Sequence, residues 1–156
     1  MDKKKQIKFN MNNFLLSTNM ALDFMQNHRI GTSMGHGKRV AYIALNLGLK
    51  YKLEPKELSD LCSYALSSNL GLSGCFNEKS FCEIANESVK DFVFQTEKED
   101  ILLYQKENFD GSGPFELKGD DIPLFSQIIY LAKSLDDKFD LGSKNIKKRF
   151  EVVEFV

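Results

Sequence analysis

Few side chains in this sequence could do hydrolytic or metal chemistry. The chain has two histidines, His28 and His36, and its candidate acids at later positions are Glu107, Asp110 and Asp136. Imidazole and carboxylate groups are ligands that Fe, Mn and Zn accept. Two such ions hydrolyse phosphodiesters by clamping the substrate and orienting a hydroxide for in-line attack. Two histidines cannot supply a histidine-rich centre of two metals, so we expect no metal and no other cofactor.

The three cysteines are typical of structural thiols in a reducing compartment. The chain has an odd number of cysteines, Cys62, Cys75 and Cys82. No two of them form the C-x-x-C pair that thiolate zinc sites usually have. The sequence contains no apolar run long enough to span a membrane, and its charged N-terminus is unlike a signal peptide. We therefore expect a cytoplasmic protein with no membrane partner.

Length, composition and charge favour one globular domain that does not bind nucleic acid. Of the 156 residues, 42% are hydrophobic and 28% are charged, a balance that can bury a core. This length fits a single compact domain over residues 1–156. The net charge is −1, whereas proteins that bind nucleic acid generally carry a basic excess.

Apolar residues recur at helical spacing along most of the chain. Leu58, Leu61, Ala65 and their neighbours form one face of an amphipathic helix, and Pro55 suits its first turn. The same periodicity predicts helices over 14–27, 81–92 and 125–135, and a helix from a cap at Ser33 to Gly48. Thr96 and Glu99 have the spacing of a capping box, which predicts a further helix from Glu97 through Tyr104. The fold class is therefore all-α, a compact domain of five to seven helices. Strand-like alternation occurs only in the tail at 150–156.

One long irregular segment, residues 109–121, lies between two of these predicted helices. It holds three of the ten glycines. A loop of this length in a small helical domain is usually functional or held by its own side chains. We expect Phe109, Phe115 and Phe125 to clasp this loop, with the first two rings buried against the last helix.

The order of several short motifs resembles the HD-GYP branch of the HD superfamily. The motifs are His36-x-x-Arg39, the helix end at 65–71, Asp110-Gly111-Ser112-Gly113-Pro114, the run Leu117-x-Gly119-x-x-Ile122-Pro123-Leu124 and the helix at 128–136. The resemblance covers about residues 33–140. It implies the helical fold of a metal-dependent phosphohydrolase. The typical substrate of that family is cyclic di-GMP.

The resemblance also implies that most metal ligands of that family are replaced here. His36 matches the leading histidine, and Asp136 keeps the second aspartate of the last helix. Ser68 and Asn69 occupy the positions of the His-Asp pair, Gln105 and Lys106 those of a paired histidine, and Lys133 that of the first aspartate. The candidate remnant-site positions are thus His36, Ser68, Asn69, Glu107, Asp110 and Asp136. No catalytic residue is expected among them, because lysines at such positions repel cations.

Three functions remain open at this point. The preferred one is a catalytically inactive domain that acts as a regulatory or protein-interaction module in bacterial signalling. A second is a nucleotide or anion sensor in which Arg39, Lys106 and Lys133 hold phosphates without cleaving them. A third is a metal-dependent phosphohydrolase with a rebuilt site centred on His36, Glu107, Asp110 and Asp136.

Several of these residues have plain structural alternatives. Ser68 and Asn69 could simply end a helix, and the glycine-rich run after Asp110 could be a turn. Lys133 could pair with an acid on the helix surface or face the remnant pocket, and its position does not decide between the two.

Overall fold

The computed structural model describes residues 10–30, 33–139 and 141–142, and they form an all-helical fold. The five α-helices are α1 (Met11–Ile30), α2 (His36–Lys50), α3 (Pro55–Ser67), α4 (Glu78–Ser88) and α5 (Leu124–Phe139). Short 3-10 turns occur at Leu70–Ser73 and Gly119–Asp121. The all-α prediction is confirmed, since the described ranges hold no strand. The strand-like tail at 150–156 lies outside the described residues.

None of the helices in the described ranges has both the length and the apolar character required to cross a membrane.

Local sequence signals explain how α3 and α4 begin. Pro55 is the first residue of α3, and the side chains of Glu54 and Glu57 each accept a hydrogen bond from the other's backbone N–H. Asn77 and Ser80 form the same reciprocal pair at α4, where Asn77 Oδ1 accepts from the Ser80 N–H at 2.8 Å. Both arrangements satisfy N–H groups that the first helical turn leaves unpaired.

The start of α2 is fixed by another helix and not by Ser33, which does not cap it. The residue before α2 is Gly35, with φ of 81°, and it has no side chain to cap the helix. The buried carboxylate of Asp23 in α1 accepts a hydrogen bond from the Gly37 N–H at 3.0 Å instead. A negative charge at this end complements the helix dipole. α1 therefore positions the first turn of α2, where His36 lies.

The core lies where α2 packs against α3 and α5. Its fully buried members include Val40 and Ala44 of α2, Leu61 and Ala65 of α3, and Phe125, Ile129 and Ala132 of α5. The helices approach closely at Gly48, where a Cβ atom would lie 2.9 Å from the side chains of Leu58 and Leu61. Truncating one of these large core residues to alanine typically costs about 2–5 kcal/mol.

The predicted helix from Glu97 through Tyr104 is wrong, because this segment forms successive turns. Thr96 does not cap a helix: its backbone N–H and its hydroxyl donate to Oδ2 of buried Asp60 at 2.7 and 2.6 Å. Asp100 has φ of 54°, a left-handed conformation that interrupts any helix. Ile101 is nevertheless buried, at 2% exposure. Tertiary contacts thus bury the apolar residues of this segment without a helix.

The long loop is held by a carboxylate more than by its aromatic rings. Glu107, 3% exposed, accepts hydrogen bonds from the Phe115 N–H at 2.7 Å and from the Leu117 N–H at 2.8 Å. The Phe115 ring packs edge-on against Tyr104, with 5.6 Å between the ring centroids. The expected burial of Phe109 is wrong, because its side chain is 67% exposed.

Asp110 and Gly111 form a tight turn within the same loop. Asp110 Oδ1 accepts from the backbone N–H of Ser112 at 2.9 Å and from its hydroxyl at 2.7 Å. Gly111 has φ of 84°, and a Cβ atom there would lie within 2.3 Å of the Lys118 side chain. The structural alternative for this run, a turn, therefore describes its geometry.

Candidate functional site

A cavity of about 390 Å³ opens between the end of α1, the start of α2, α4 and α5. Its lining includes several positions singled out from the sequence: His36, Asn69, Lys106 and Lys133. Gln26, Glu78, Phe81 and Asp137 also line it. The fold thus gathers positions spread over more than a hundred residues of sequence around one space.

His36 and Asp136 form a buried pair at one side of the cavity. His36 Nδ1 lies 2.6 Å from Asp136 Oδ2, and the two residues are 4% and 3% exposed. Arg39, one turn after His36 on α2, donates from Nε to Asp136 Oδ1 at 2.6 Å and from Nη2 to Asp136 Oδ2 at 3.0 Å. Both carboxylate oxygens of Asp136 are therefore engaged by α2 side chains.

The environment of Asp136 keeps this carboxylate charged. Burial by itself would raise its pKa, but the hydrogen bonds from His36 and Arg39, together with the positive charge of Arg39, outweigh burial and hold the pKa below its usual value. Arg39 is occupied further, since its Nη2 also donates to Ser33 Oγ at 2.7 Å. Arg39 is not among the residues that line the cavity.

Lys133 points into the fold and not toward the acids of its own helix. Its Nζ donates to Gln105 Oε1 at 2.8 Å and to the Ser68 carbonyl oxygen at 3.2 Å. Burial and, to a lesser extent, the nearby charge of Lys106 lower the pKa of Lys133 to about 7. Of the two alternatives left open by the sequence, the structure has Lys133 facing the remnant pocket.

Lys106 brings a second amino group to the same cavity. Its Nζ donates to Glu78 Oε1 at 2.8 Å. The Nζ atoms of Lys106 and Lys133 lie 5.4 and 5.3 Å from the centroid of the same Phe81 ring. Two amino groups near one aromatic ring thus form a polar part of the cavity wall.

Ser68 and Asn69 follow the last turn of α3 and are both buried, at 0% and 3% exposure. Asn69 Nδ2 donates to Gln26 Oε1 of α1 at 3.2 Å. The Ser68 hydroxyl has no hydrogen-bond partner in the described structure. These residues thus end a helix, as the structural alternative proposes, and Asn69 also lines the cavity.

Glu107 and Asp110 lie outside this constellation. Neither lines the cavity, and the oxygens of Glu107 are occupied by the loop backbone. The rebuilt hydrolase site suggested by the sequence is therefore assembled only in part, as the His36–Asp136 pair.

The described residues do not fit a centre of two metals. His36, Asp136 and Asp137 could each offer one ligand atom, and these atoms lie within 4.8 Å of one another. Three such atoms suffice for one ion at most, and Asp136 already accepts hydrogen bonds from Arg39. By resemblance, the positions that would hold a second ion carry the amino groups of Lys106 and Lys133 and the amide of Asn69, none of which is the imidazole or carboxylate ligand that such ions accept.

Sequence reasoning missed several residues that shape the cavity. Gln26 comes from α1, which precedes the region of motif resemblance, and Glu78 and Phe81 come from α4. Only Asp137, next to Asp136, had a sequence signal. The others reach the cavity through tertiary packing, which leaves no spacing pattern in the sequence.

The chain matches no family model and no curated protein. It does match the crystal structure of V-cGAP3, a cyclic GMP-AMP-specific phosphodiesterase of V. cholerae, with a TM-score of 0.70 at 19% sequence identity. The match covers 94% of this chain and 44% of that chain, so this chain spans less than half the length of that protein. At this identity the likeness shows the fold alone, and the all-helical fold class predicted from the sequence is confirmed.

Proposed function

We propose that this chain is an HD-type domain that does not hydrolyse phosphodiesters and acts as a regulatory or protein-interaction module. The observation that carries the proposal is that polar side chains at and beside the cavity bond to groups of the same chain. Lys133 is bonded to Gln105 and to the Ser68 carbonyl, and Asp136 is bonded to His36 and Arg39. Side chains thus bond to one another at positions where, by resemblance, a phosphohydrolase would hold two metals.

Exposed apolar side chains support the interaction role. Tyr51, Phe109 and Leu131 line a groove between the end of α2, the long loop and α5, and they are 61%, 67% and 44% exposed. Adjacent exposed apolar side chains are typical of surfaces that contact another protein.

A metal and activity assay tests the loss of hydrolysis. The chain is purified without chelator, its metal content is measured, and cyclic di-GMP and cyclic GMP-AMP are incubated with it in added Mn, Fe or Mg. We expect less than stoichiometric metal and no turnover. Asp110→Asn is the matched control, because Asp110 is exposed and lies outside the cavity. One bound ion per chain, or turnover that is lost in His36→Ala and kept in Asp110→Asn, would contradict the proposal.

A nucleotide or anion sensor is the second candidate, and the two amino groups of the cavity favour it. The solved neighbour acts on a cyclic dinucleotide, and a cavity of about 390 Å³ with Lys106 and Lys133 in its wall could hold phosphate oxygens. Thermal unfolding with and without cyclic dinucleotides or inorganic phosphate tests this. A sensor shows a ligand-dependent rise in melting temperature that is lost in Lys106→Ala and kept in Lys56→Ala, an exposed control. If the ligands raise the melting temperature of neither the unsubstituted chain nor Lys56→Ala, the interaction module remains the proposed function.

A further inference from the structure

The hydrogen-bond acceptors of Lys133 are both uncharged groups. An ammonium group has three N–H donors, and the structure gives Nζ two acceptors, Gln105 Oε1 at 2.8 Å and the Ser68 carbonyl at 3.2 Å. Both acceptors are uncharged, and among the described residues no carboxylate forms an ion pair with Lys133. A neutral amine donates two hydrogens to these acceptors and keeps a lone pair. Because Lys133 lines the cavity, a small molecule in the cavity can approach this side chain.

Titratable groups lie around Lys133 on several of the elements that pack on the cavity. The long connection before the loop contributes Lys106, α4 contributes Cys82 and Glu78, α5 contributes Asp137, and α2 contributes His36. Burial is the main reason that the pKa of Lys133 falls to about 7; Lys106 lowers it further, whereas Cys82 and Asp137 act in the opposite direction. Desolvation beside a second cation is the usual means of making a lysine nucleophilic.

Lys106 can supply the charge that recruits an anionic group to this amine. Its partner, Glu78, has a side chain that is 67% exposed. An ion pair of this kind contributes only about 0–1 kcal/mol, so an incoming anion can compete for the Lys106 ammonium. The amine and the ammonium lie over the same Phe81 ring, which places them within the span of one small molecule.

We propose that Lys133 is a nucleophilic amine that forms an imine with a small aldehyde or ketone carrying an anionic group. The Nζ lone pair attacks the carbonyl carbon, and the electrons of the carbon–oxygen π bond move to the oxygen. The resulting carbinolamine loses that oxygen as water together with both amine hydrogens, leaving a C=N bond. Nothing is oxidised or reduced in this step, and water is the only product released.

Reductive trapping tests the proposal on the full chain. Pyridoxal 5′-phosphate serves as the anionic aldehyde, and 5-deoxypyridoxal, which likewise cannot close to a cyclic hemiacetal, serves as the matched aldehyde without phosphate; borohydride then fixes the imine, and peptide mass spectrometry locates it. At pH 7 we expect Lys133 to be labelled at least about ten-fold faster than the exposed Lys56, because an ordinary lysine is almost entirely protonated at that pH. The labelling rate of Lys133 is expected to be half-maximal near pH 7.

Substitution of Lys106 separates the two parts of the proposal. In Lys106→Ala, the preference for the phosphate-bearing aldehyde should disappear, and the half-maximal pH of Lys133 labelling should rise. If Lys133 is labelled no faster than Lys56, or if its labelling is half-maximal above about pH 9, the proposal that Lys133 is a nucleophilic amine is wrong. If the unsubstituted chain reacts at equal rates with both aldehydes, the proposal that the ligand carries an anionic group is wrong. These readouts use no turnover and no metal, so their failure is distinct from a failure of the proposed function.

Discussion

Replacing Glu107 with glutamine should destabilise the domain although it changes only one side-chain atom. The carboxylate is buried and accepts hydrogen bonds from two backbone N–H groups of the loop, at 2.7 and 2.8 Å. Glutamine keeps one acceptor oxygen, and its NH2 group then faces the other backbone N–H. A hydrogen bond to a charged group contributes about 1.5–3 kcal/mol, so the loss of one and the weakening of the other should cost about 2–4 kcal/mol.

Thermal unfolding followed by circular dichroism measures this cost. For a domain of this size, one kcal/mol corresponds to a shift of about 2–4 °C, so the melting temperature of Glu107→Gln should fall by about 5–15 °C. Glu97→Gln is the matched control, because this substitution makes the same chemical change at an exposed position. If both variants melt within about 2 °C of the unsubstituted chain, the inference that Glu107 holds the loop is refuted.

Three further predictions follow from burial and charge. Phe109→Ala should change the free energy of unfolding little because its ring is exposed, whereas Phe125→Ala, at a site 2% exposed, should cost about 3–5 kcal/mol; equal losses in chemical denaturation would contradict this. Asp136→Ala should cost about 3 kcal/mol because it removes the carboxylate partner of buried His36 and half-buried Arg39, and Asp137→Ala, 64% exposed, should cost almost nothing in the same assay. The pKa of Lys133 is about 7 in the folded chain and 10.5 ordinarily, so the unfolded state binds more protons in that interval. The free energy of unfolding should therefore rise relative to that of Lys133→Met between pH 7 and 10, and a constant difference would disprove the buried amine.

The local pattern of the sequence was sufficient for most of the helices. Pro55 and the apolar positions that follow it place α3, and the stripe from Phe125 to Leu135 places α5. These elements could be predicted because a helix buries residues at a fixed spacing that the sequence displays directly. The same pattern misled at 97–104, where Thr96 has a capping residue's identity but bonds to Asp60, a residue 36 positions earlier.

The order of motifs pointed to four positions that line the cavity, His36, Asn69, Lys106 and Lys133, and only the tertiary structure decided what each side chain does there. The position of Lys133 allowed a surface ion pair or a buried role; packing of α5 against the segment around Gln105 and the end of α3 selects the buried one. Glu107 was a candidate remnant-site position, yet its carboxylate holds the loop backbone. The contribution of Gln26 had no sequence signal. Helical periodicity is a local property that the sequence contains, whereas the protonation and bonding of a buried polar group depend on which distant atoms surround it.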